Sequence, residues 1–189
     1  MSELMDAAAL RRLLPPGLAH NALPPALSRP AAVLVALEPE RGVWLTRRSA
    51  RMSAHAGQVS LPGGKIEPGD ASVEAAALRE AAEEIGLDPA QAEILGRMDE
   101  YITGTGFHIS PVVALVPQGV RFTLDPREVE EVFCLSFAAL LDPALPQLRH
   151  AVRRGAVYKF WVWPHEDHVI WGATARILRD LAQRLRGAA

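Results

Sequence analysis

A Gly63-Gly64 pair that leads into an acidic helix restricts the fold of this chain more than any other segment. Residues 71–85 contain neither glycine nor proline, Asp70 is a candidate N-cap, and Gly86 stands where a C-cap glycine is expected. The glycine pair allows a tight turn that brings backbone groups close to a ligand. The sequence therefore predicts a helix of about four turns that is entered from such a turn.

The predicted helix has two chemically different faces. At about 100° per residue, Leu78, Ala82 and Ile85 fall together on a core face. The opposite face carries three carboxylates, those of Glu80, Glu83 and Glu84. On an exposed helix such groups repel one another by roughly a few tenths of a kcal/mol per pair. Mg²⁺ offsets such repulsion and is commonly held by one or two carboxylates together with substrate phosphates. This face is therefore either a solvated acidic surface or a metal site.

Length and charge limit the class of protein. The chain has 189 residues, with 20 Lys+Arg against 22 Asp+Glu, which indicates one domain and gives no basic surface for nucleic acid. We expect an N-terminal helix and a proline-rich arm over residues 1–30, followed by one folded domain over 31–187. Because there is a single cysteine, no secretory signal and no apolar run of ~20 residues, we expect no membrane contact and a cytoplasmic location.

The rest of the chain alternates apolar runs with turn-forming residues. Residues 31–37 and 42–46 predict a hairpin, and a loop is predicted from 47 to 69. Further strands are predicted at 93–98, 110–116, 132–136 and 157–163, with a closing helix at 171–186. Together these elements predict an α/β fold, with a mixed central β-sheet covered by helices as an α/β/α sandwich.

The acidic segment resembles the signature of the Nudix hydrolases. That signature is a glycine, five residues, an acid, then Arg-Glu, an apolar residue, any residue, Glu-Glu, any residue, glycine and an apolar residue. Gly64, Asp70 and Arg79-Glu80 occupy these positions here, with Asp in place of the usual Glu. Eight residues, not seven, separate Asp70 from Arg79, so the helical acids stay in register but a supporting role for Asp70 is not predicted.

A second resemblance is to the coenzyme A pyrophosphatase branch of that family. Residues 45–64 look like the additional motif of this branch, whose acidic segment also has the longer spacing. Where the branch usually has Arg and Phe, this chain has Ser53 and Leu61, and Arg51 is a candidate to replace the missing arginine. The resemblance covers residues 31–186, including the segments 101–113, 128–133 and 170–175.

The resemblance implies a Nudix-type α/β/α sandwich that hydrolyses coenzyme A to 3′,5′-ADP and 4′-phosphopantetheine with Mg²⁺ or Mn²⁺. It makes Glu80 and Glu84 the principal metal ligands. Glu83 shares a metal or its bound water, and the Gly63 carbonyl completes the set. Arg79 lies beside these acids and is expected to orient Glu83 by a charged hydrogen bond rather than to clamp the substrate.

Two roles stay open on the sequence. Glu83 and Glu128 are both candidates for the general base, although a solvated charge is the simpler interpretation of the acidic run 128–131. Positive charge and donors for the substrate lie near the glycine turn, and arginine suits phosphate binding. These candidates are Arg48, Arg51, His55, Gln58 and Lys65.

Three functions compete. The first is hydrolysis of coenzyme A. The second is hydrolysis of ADP-ribose, a dinucleoside polyphosphate or an oxidised nucleotide, in which case the motif at 45–64 is loop architecture only. The third is a nucleotide-binding module without catalysis, which the intact acidic segment disfavours. The expected partner is a small molecule, and many members of the family pair as homodimers, for which the N-terminal arm is a candidate contact.

Overall fold

The computed structural model describes residues 5–14, 29–52, 54–153 and 155–187, so residues 15–28 of the predicted arm lie outside it. Within these ranges the chain forms four α-helices and eleven strands. The helices are α1 (Ala7–Leu13), α2 (Val73–Ile85), α3 (Phe137–Leu140) and α4 (Gly172–Gly187). The strands are β1 (Arg29–Glu38), β2 (Gly42–Arg48), β3 (Val59–Ser60), β4 (Gly63–Lys65), β5 (Glu93–Arg97), β6 (Tyr101–Ile102), β7 (Phe107–Leu115), β8 (Val129–Ser136), β9 (Gln147–Arg153), β10 (Ala156–His165) and β11 (His168–Trp171).

A mixed sheet of strands β1 to β8 forms the centre of the fold. β1 is parallel to β7, in a register that runs from Arg29↔Phe107 to Leu37↔Leu115, and antiparallel to β2 and β4. The hairpin predicted for residues 31–46 is confirmed as the β1–β2 pair. The strands predicted at 93–98, 110–116 and 132–136 correspond to β5, β7 and β8.

The loop predicted for residues 47–69 is wrong in part. β2 continues to Arg48, and β3 and β4 lie within the segment. Gly63 in β4 has φ +152°, and a Cβ there would lie 2.4 Å from the Ala32 carbonyl oxygen. Glycine therefore allows the close pairing of β4 with β1. The sequence does not predict β3 and β4, because strands of two or three residues are too short to show a hydrophobic pattern.

Helices cover both faces of this sheet. On one face α2 packs over Leu34 and Val112, and on the other α4, through Leu178, shares a core with Leu45. Helix α1 joins the second core through Leu10, which is fully buried. This arrangement confirms the predicted α/β fold with a mixed central sheet. No helix in the described ranges has the length and apolar character of a membrane span.

A smaller sheet of β9, β10 and β11 packs on the α4 side. Trp163 and Ile170 from this sheet are fully buried in the α4 core. The strand predicted at 157–163 lies within β10, and the closing helix predicted at 171–186 corresponds to α4. The core of this side is therefore assembled from the central sheet, the C-terminal third of the chain and α1.

The lone cysteine, Cys134, is half-buried in β8 opposite Trp44. Burial raises the pKa of its thiol to about 11, and the thiolate is the reactive form. We expect iodoacetamide at pH 8 to alkylate Cys134 on the order of a hundredfold more slowly than free cysteine, with a rate that rises up to about pH 11. Mass spectrometry of timed samples measures this rate. Alkylation as fast as that of free cysteine would contradict the buried environment of the thiol.

Candidate active site

Helix α2 begins two residues later than predicted. Its N-cap is Ser72, whose Oγ accepts a hydrogen bond from the Ala75 amide. The prediction of Asp70 as the cap is wrong, because the Asp70 carboxylate binds Arg79 instead. Serine and aspartate are equally good caps, so local preference does not choose between them. The predicted end of the helix is confirmed, since Gly86 takes the left-handed conformation at φ 66°.

The core face of α2 differs in part from the predicted one, since Ile85 is fully buried as predicted. Ala77 and Ala81 are fully buried, whereas Leu78 and Ala82 are only partly buried. Small side chains on the core face let the helix approach the sheet closely. The same rotation turns Glu84 inward, so one of the three acids predicted for the solvent face is buried.

Glu84 is a buried carboxylate with 2% of its surface exposed. Its Oε2 accepts a hydrogen bond from the Gly63 amide at 3.0 Å, and its Oε1 lies 3.4 Å from a guanidinium nitrogen of Arg48. Burial is the main cause that raises the pKa of Glu84 to about 7, and the charges of Glu80 and Glu128 contribute. A further positive charge at this position would therefore stabilise the ionised acid.

Arg79 ties the acids of the helix to the loop that precedes it. Its guanidinium binds both carboxylate oxygens of Asp70, at 2.9 and 3.1 Å. One nitrogen also reaches Glu80 at 3.0 Å and Glu83 at 3.1 Å, and another donates to the Lys65 carbonyl oxygen. The hydrogen bond to Asp70 is the main cause that raises the pKa of Arg79 above its ordinary value. Asp70 thus supports Arg79, which the longer spacing did not predict.

The Glu80 carboxylate packs directly on the Gly64 backbone. A Cβ on Gly64 would lie 2.4 to 2.6 Å from the atoms of that carboxylate, whereas a Cβ on Gly69 would meet nothing within 4 Å. We therefore expect Gly64→Ala to displace Glu80 and to lower turnover by about tenfold to a hundredfold. Thermal stability should change little, because the end of a flexible side chain gives way.

Gly69→Ala is the matched control for this substitution, since it adds the same methyl group to the same loop. Its steady-state turnover should equal that of the wild-type protein. If both variants kept full turnover, the position of the Glu80 carboxylate would not matter for the reaction.

Residues 49–52 and 54–58 follow β2 and lie beside the acidic site, which comprises Glu80, Glu83 and Glu84. The Arg48 amide donates to the Gln58 carbonyl oxygen at 3.0 Å, which closes the base of the loop. The Ser49 amide donates to the Glu128 carbonyl oxygen at 2.8 Å. The loop is therefore fixed to the sheet on one side and to the acidic run on the other.

The candidate substrate residues lie at the end of β2, in β4 and in the segment between these strands. In the loop, His55 Nδ1 and Gln58 Oε1 are 2.8 Å apart, so these two side chains hold each other. Arg51 and Lys65 are exposed at the surface. Of the five candidates, Arg48 is the one that contacts a helical acid among the interactions of the described chain.

The acidic run at 128–131 divides between two environments. The Glu128 carbonyl oxygen accepts a hydrogen bond from the Ser49 amide at 2.8 Å, and the charge of Glu128 is one of the causes that raise the pKa of Glu84. Glu131 instead lies 3.0 Å from Arg47 and 3.1 Å from His168 Nε2. No local sequence pattern indicates this second group, because it joins segments that are far apart along the chain.

The acidic site fits a hard divalent cation by its chemistry. In the part of the chain that the structure describes, no three carboxylate, imidazole or thiol groups already converge on one metal position. Glu80 and Glu83 turn toward Arg79, and Glu84 turns toward Gly63. Burial is nevertheless the main cause that raises the pKa of Glu80 and of Glu84. A cation that prefers oxygen ligands would stabilise both carboxylates in their ionised form.

Comparisons with known proteins support the resemblance of the acidic segment to the Nudix signature. The NUDIX domain family matches residues 27–155. Relatives from Salmonella paratyphi B and Salmonella newport, both named uncharacterized Nudix hydrolase NudL, are 37% identical to this chain over 176 residues. The matched residues cover 92% of this chain and 90% of each relative.

Solved structures share the fold. A MutT/nudix family protein from Enterococcus faecalis superposes with a TM-score of 0.50 at 16% identity, over 89% of this chain and 71% of that one. The protein DR0079 from Deinococcus radiodurans superposes with a TM-score of 0.55 at 16% identity, over 85% and 88% of the two chains. The family match spans most of the chain, and the Salmonella relatives are similar over nearly their whole length. This chain therefore belongs to the Nudix hydrolase family.

Proposed function

We propose that this Nudix hydrolase cleaves the diphosphate of coenzyme A and its derivatives to 3′,5′-ADP and 4′-phosphopantetheine, with Mg²⁺ or Mn²⁺. The proposal depends on the attachment of the segment that follows β2 to the acidic site. Arg48 reaches Glu84 at 3.4 Å, and the Ser49 amide bonds the Glu128 carbonyl at 2.8 Å. Residues 45–64, which resemble the coenzyme A motif, therefore border the acidic site and not a remote surface.

The helical acids would hold the metal. Glu80 and Glu84 are the principal ligands in this proposal, and Glu83 and the Gly63 carbonyl complete the set. When bound, the cation neutralises the diphosphate oxygens and activates water. Arg79 keeps Glu80 and Glu83 in place through charged hydrogen bonds at 3.0 and 3.1 Å. Its role is positioning, since its donors are directed at protein acceptors.

Hydrolysis also needs a group that takes a proton from the attacking water. The water oxygen bonds to one phosphorus while the P–O bond to the bridging oxygen breaks. Glu83 and Glu128 are the candidates, and Glu83 Oε2 already accepts a hydrogen bond from Arg79 at 3.1 Å. We therefore favour Glu128 as the base, because its segment is bonded to α2 beside the acids: the Asp125 amide donates to the Glu84 carbonyl oxygen at 3.0 Å, and the Glu128 carbonyl oxygen accepts from the Ser49 amide at 2.8 Å.

Product analysis tests the proposal. The purified protein is incubated with coenzyme A, with ADP-ribose or with a diadenosine polyphosphate, each with Mg²⁺, with Mn²⁺ and with chelator. We expect metal-dependent 3′,5′-ADP to form much faster than any product of ADP-ribose. If coenzyme A survives while another dinucleotide is cut, the substrate assignment fails and the hydrolase assignment stands. If nothing is cut, the coenzyme A assignment fails, and a binding module without catalysis is favoured over it.

Selectivity is expected to reside in the loop at 49–58. Arg51 and His55 are exposed in this loop, which is attached to the acidic site through the Arg48 side chain and the Ser49 amide. Arg51→Ala and His55→Ala should each lower kcat/KM for coenzyme A by about tenfold, the value of one charge-assisted hydrogen bond. The rate on a generic dinucleotide should change less. Equal losses on both substrates would contradict a selective role.

A further inference from the structure

Strand β8 has an open edge beside the acidic site. Among the described strands it pairs only with β2. The Phe137 amide donates to the Arg41 carbonyl oxygen. Because every second residue of an antiparallel strand turns its N–H and C=O groups toward its neighbour, this bond determines which residues of β8 face β2 and which face away. That alternation directs the N–H and C=O groups of Val132 and Cys134 away from β2. No hydrogen bond from elsewhere in the described chain reaches these outward groups.

A cavity of about 530 Å³ lies along the same edge. Val132 and Cys134 are among the residues that line it, so their outward amide groups are accessible from the cavity. Four of the other seven lining residues carry aromatic rings, Trp44, Phe122, Phe133 and His165, and the remaining three are Arg41, Ser136 and Glu166. The site therefore suits an extended ligand that carries amide groups and ends in an apolar segment.

We propose that the pantetheine arm of the substrate binds along the open edge of β8 in the manner of an added strand. This inference rests on the proposed function. The arm carries two secondary amides, each with one donor and one acceptor, which are the groups that an open strand edge can pair with. The end of the arm that carries the thiol enters the aromatic cavity. A ligand whose second half is a sugar has no such amides, so the edge would select for coenzyme A.

The dimensions of the arm agree with those of the strand. From the phosphate oxygen to the thiol the arm has about twelve covalent bonds, equivalent to four residues of extended backbone, or ~14 Å. Measured from Val129, which follows Glu128 at the acidic site, Val132 and Cys134 lie roughly 10 and 17 Å along the strand. An arm whose phosphate is held at the acidic site therefore passes Val132 and ends in the cavity near Cys134.

NMR of the wild-type protein tests the inference without hydrolysis, because free pantetheine has no diphosphate. As pantetheine is added, we expect the backbone amide signals of Val132 and Cys134 to shift and to saturate together. The amides of Phe133 and Leu135 point toward β2, so their signals should shift several-fold less. Binding that leaves the β8 signals unchanged, or no binding up to about 10 mM, would overturn the inference.

Two variants test the same contact kinetically. Cys134→Pro removes the outward N–H, at a position where an edge strand tolerates proline. Cys134→Ala is the matched control, since it loses the thiol and keeps the N–H. We expect KM for coenzyme A to be about fivefold to tenfold higher in the proline variant than in the alanine variant, with equal kcat.

The outcomes separate the two proposals. If the wild-type protein hydrolyses coenzyme A and the two variants have the same KM, the arm does not bind along β8 and the proposed function stands. If the wild-type protein leaves coenzyme A intact, the proposed function fails, and the NMR titration alone decides whether the edge binds the arm. The titration also decides the question if Cys134→Pro does not fold.

Discussion

Glu84→Gln is expected to lower metal-dependent turnover by about a hundredfold or more while the fold is retained. The amide of glutamine has nearly the same shape as the carboxylate, so it fills the same buried site and can still accept the hydrogen bond from the Gly63 amide. What it loses is the charge that a divalent cation requires. Unchanged turnover would remove Glu84 from the metal site.

The same variant has a distinct signature in stability. Burial raises the pKa of Glu84 in the folded protein from 4.5 to about 7, so folding favours the protonated acid. The resulting stabilisation is complete below pH 4.5 and is lost as the pH rises through about 7. With chelator present, the melting temperature of Glu84→Gln should therefore exceed that of the wild type by more at pH 8 than at pH 5. A pH-independent difference would contradict the raised pKa.

Glu74→Gln is the matched control for this prediction. Glu74 lies on the same helix and pairs with Arg97 at 3.1 Å, outside the group of acids around Arg79. Its replacement removes one carboxylate from α2 without touching Glu80, Glu83 or Glu84. Turnover should stay at the wild-type level. An equal loss in both variants would assign the effect to the helix as a whole.

Local sequence predicts the parts of the fold that are determined by neighbouring residues. Gly86 ends α2 as expected because a left-handed C-cap depends on that residue alone. The longer strands follow from runs of apolar residues. The positions of Glu80, Glu83 and Glu84 relative to one another on α2 could also be predicted, because they follow from the helical repeat.

The rest depends on contacts between distant segments. Spacing on a helical wheel puts Glu83 and Glu84 on one face, but only tertiary packing buries Glu84, through an amide from β4 and the Arg48 side chain at the end of β2. The pairing of Asp70 with Arg79 likewise depends on the path of the loop between them. The short strand β4 forms because glycine at position 63 tolerates the close approach of Ala32.

Arg79→Lys is expected to lower turnover by about tenfold to a hundredfold, although the charge is kept. The planar guanidinium binds Asp70 through two nitrogens and Glu80 and Glu83 through a third, and a lysine ammonium cannot reproduce that geometry. The acids it positions would then separate from the loop. Steady-state kinetics and the melting temperature, which should fall by roughly 2 to 4 °C for a loss of about 1 kcal/mol, measure the two consequences.

A double-mutant cycle with Asp70→Asn decides whether the pair acts as a unit. If Asp70 works only by holding Arg79, Asp70→Asn should lower turnover and melting temperature in the wild-type protein and have little further effect in Arg79→Lys. Additive losses would show that the two residues act separately. Non-additive losses would mean that Asp70 positions Arg79 across eight intervening residues. The hydrogen bonds between the two side chains would then depend on the path of the intervening segment and not on its length.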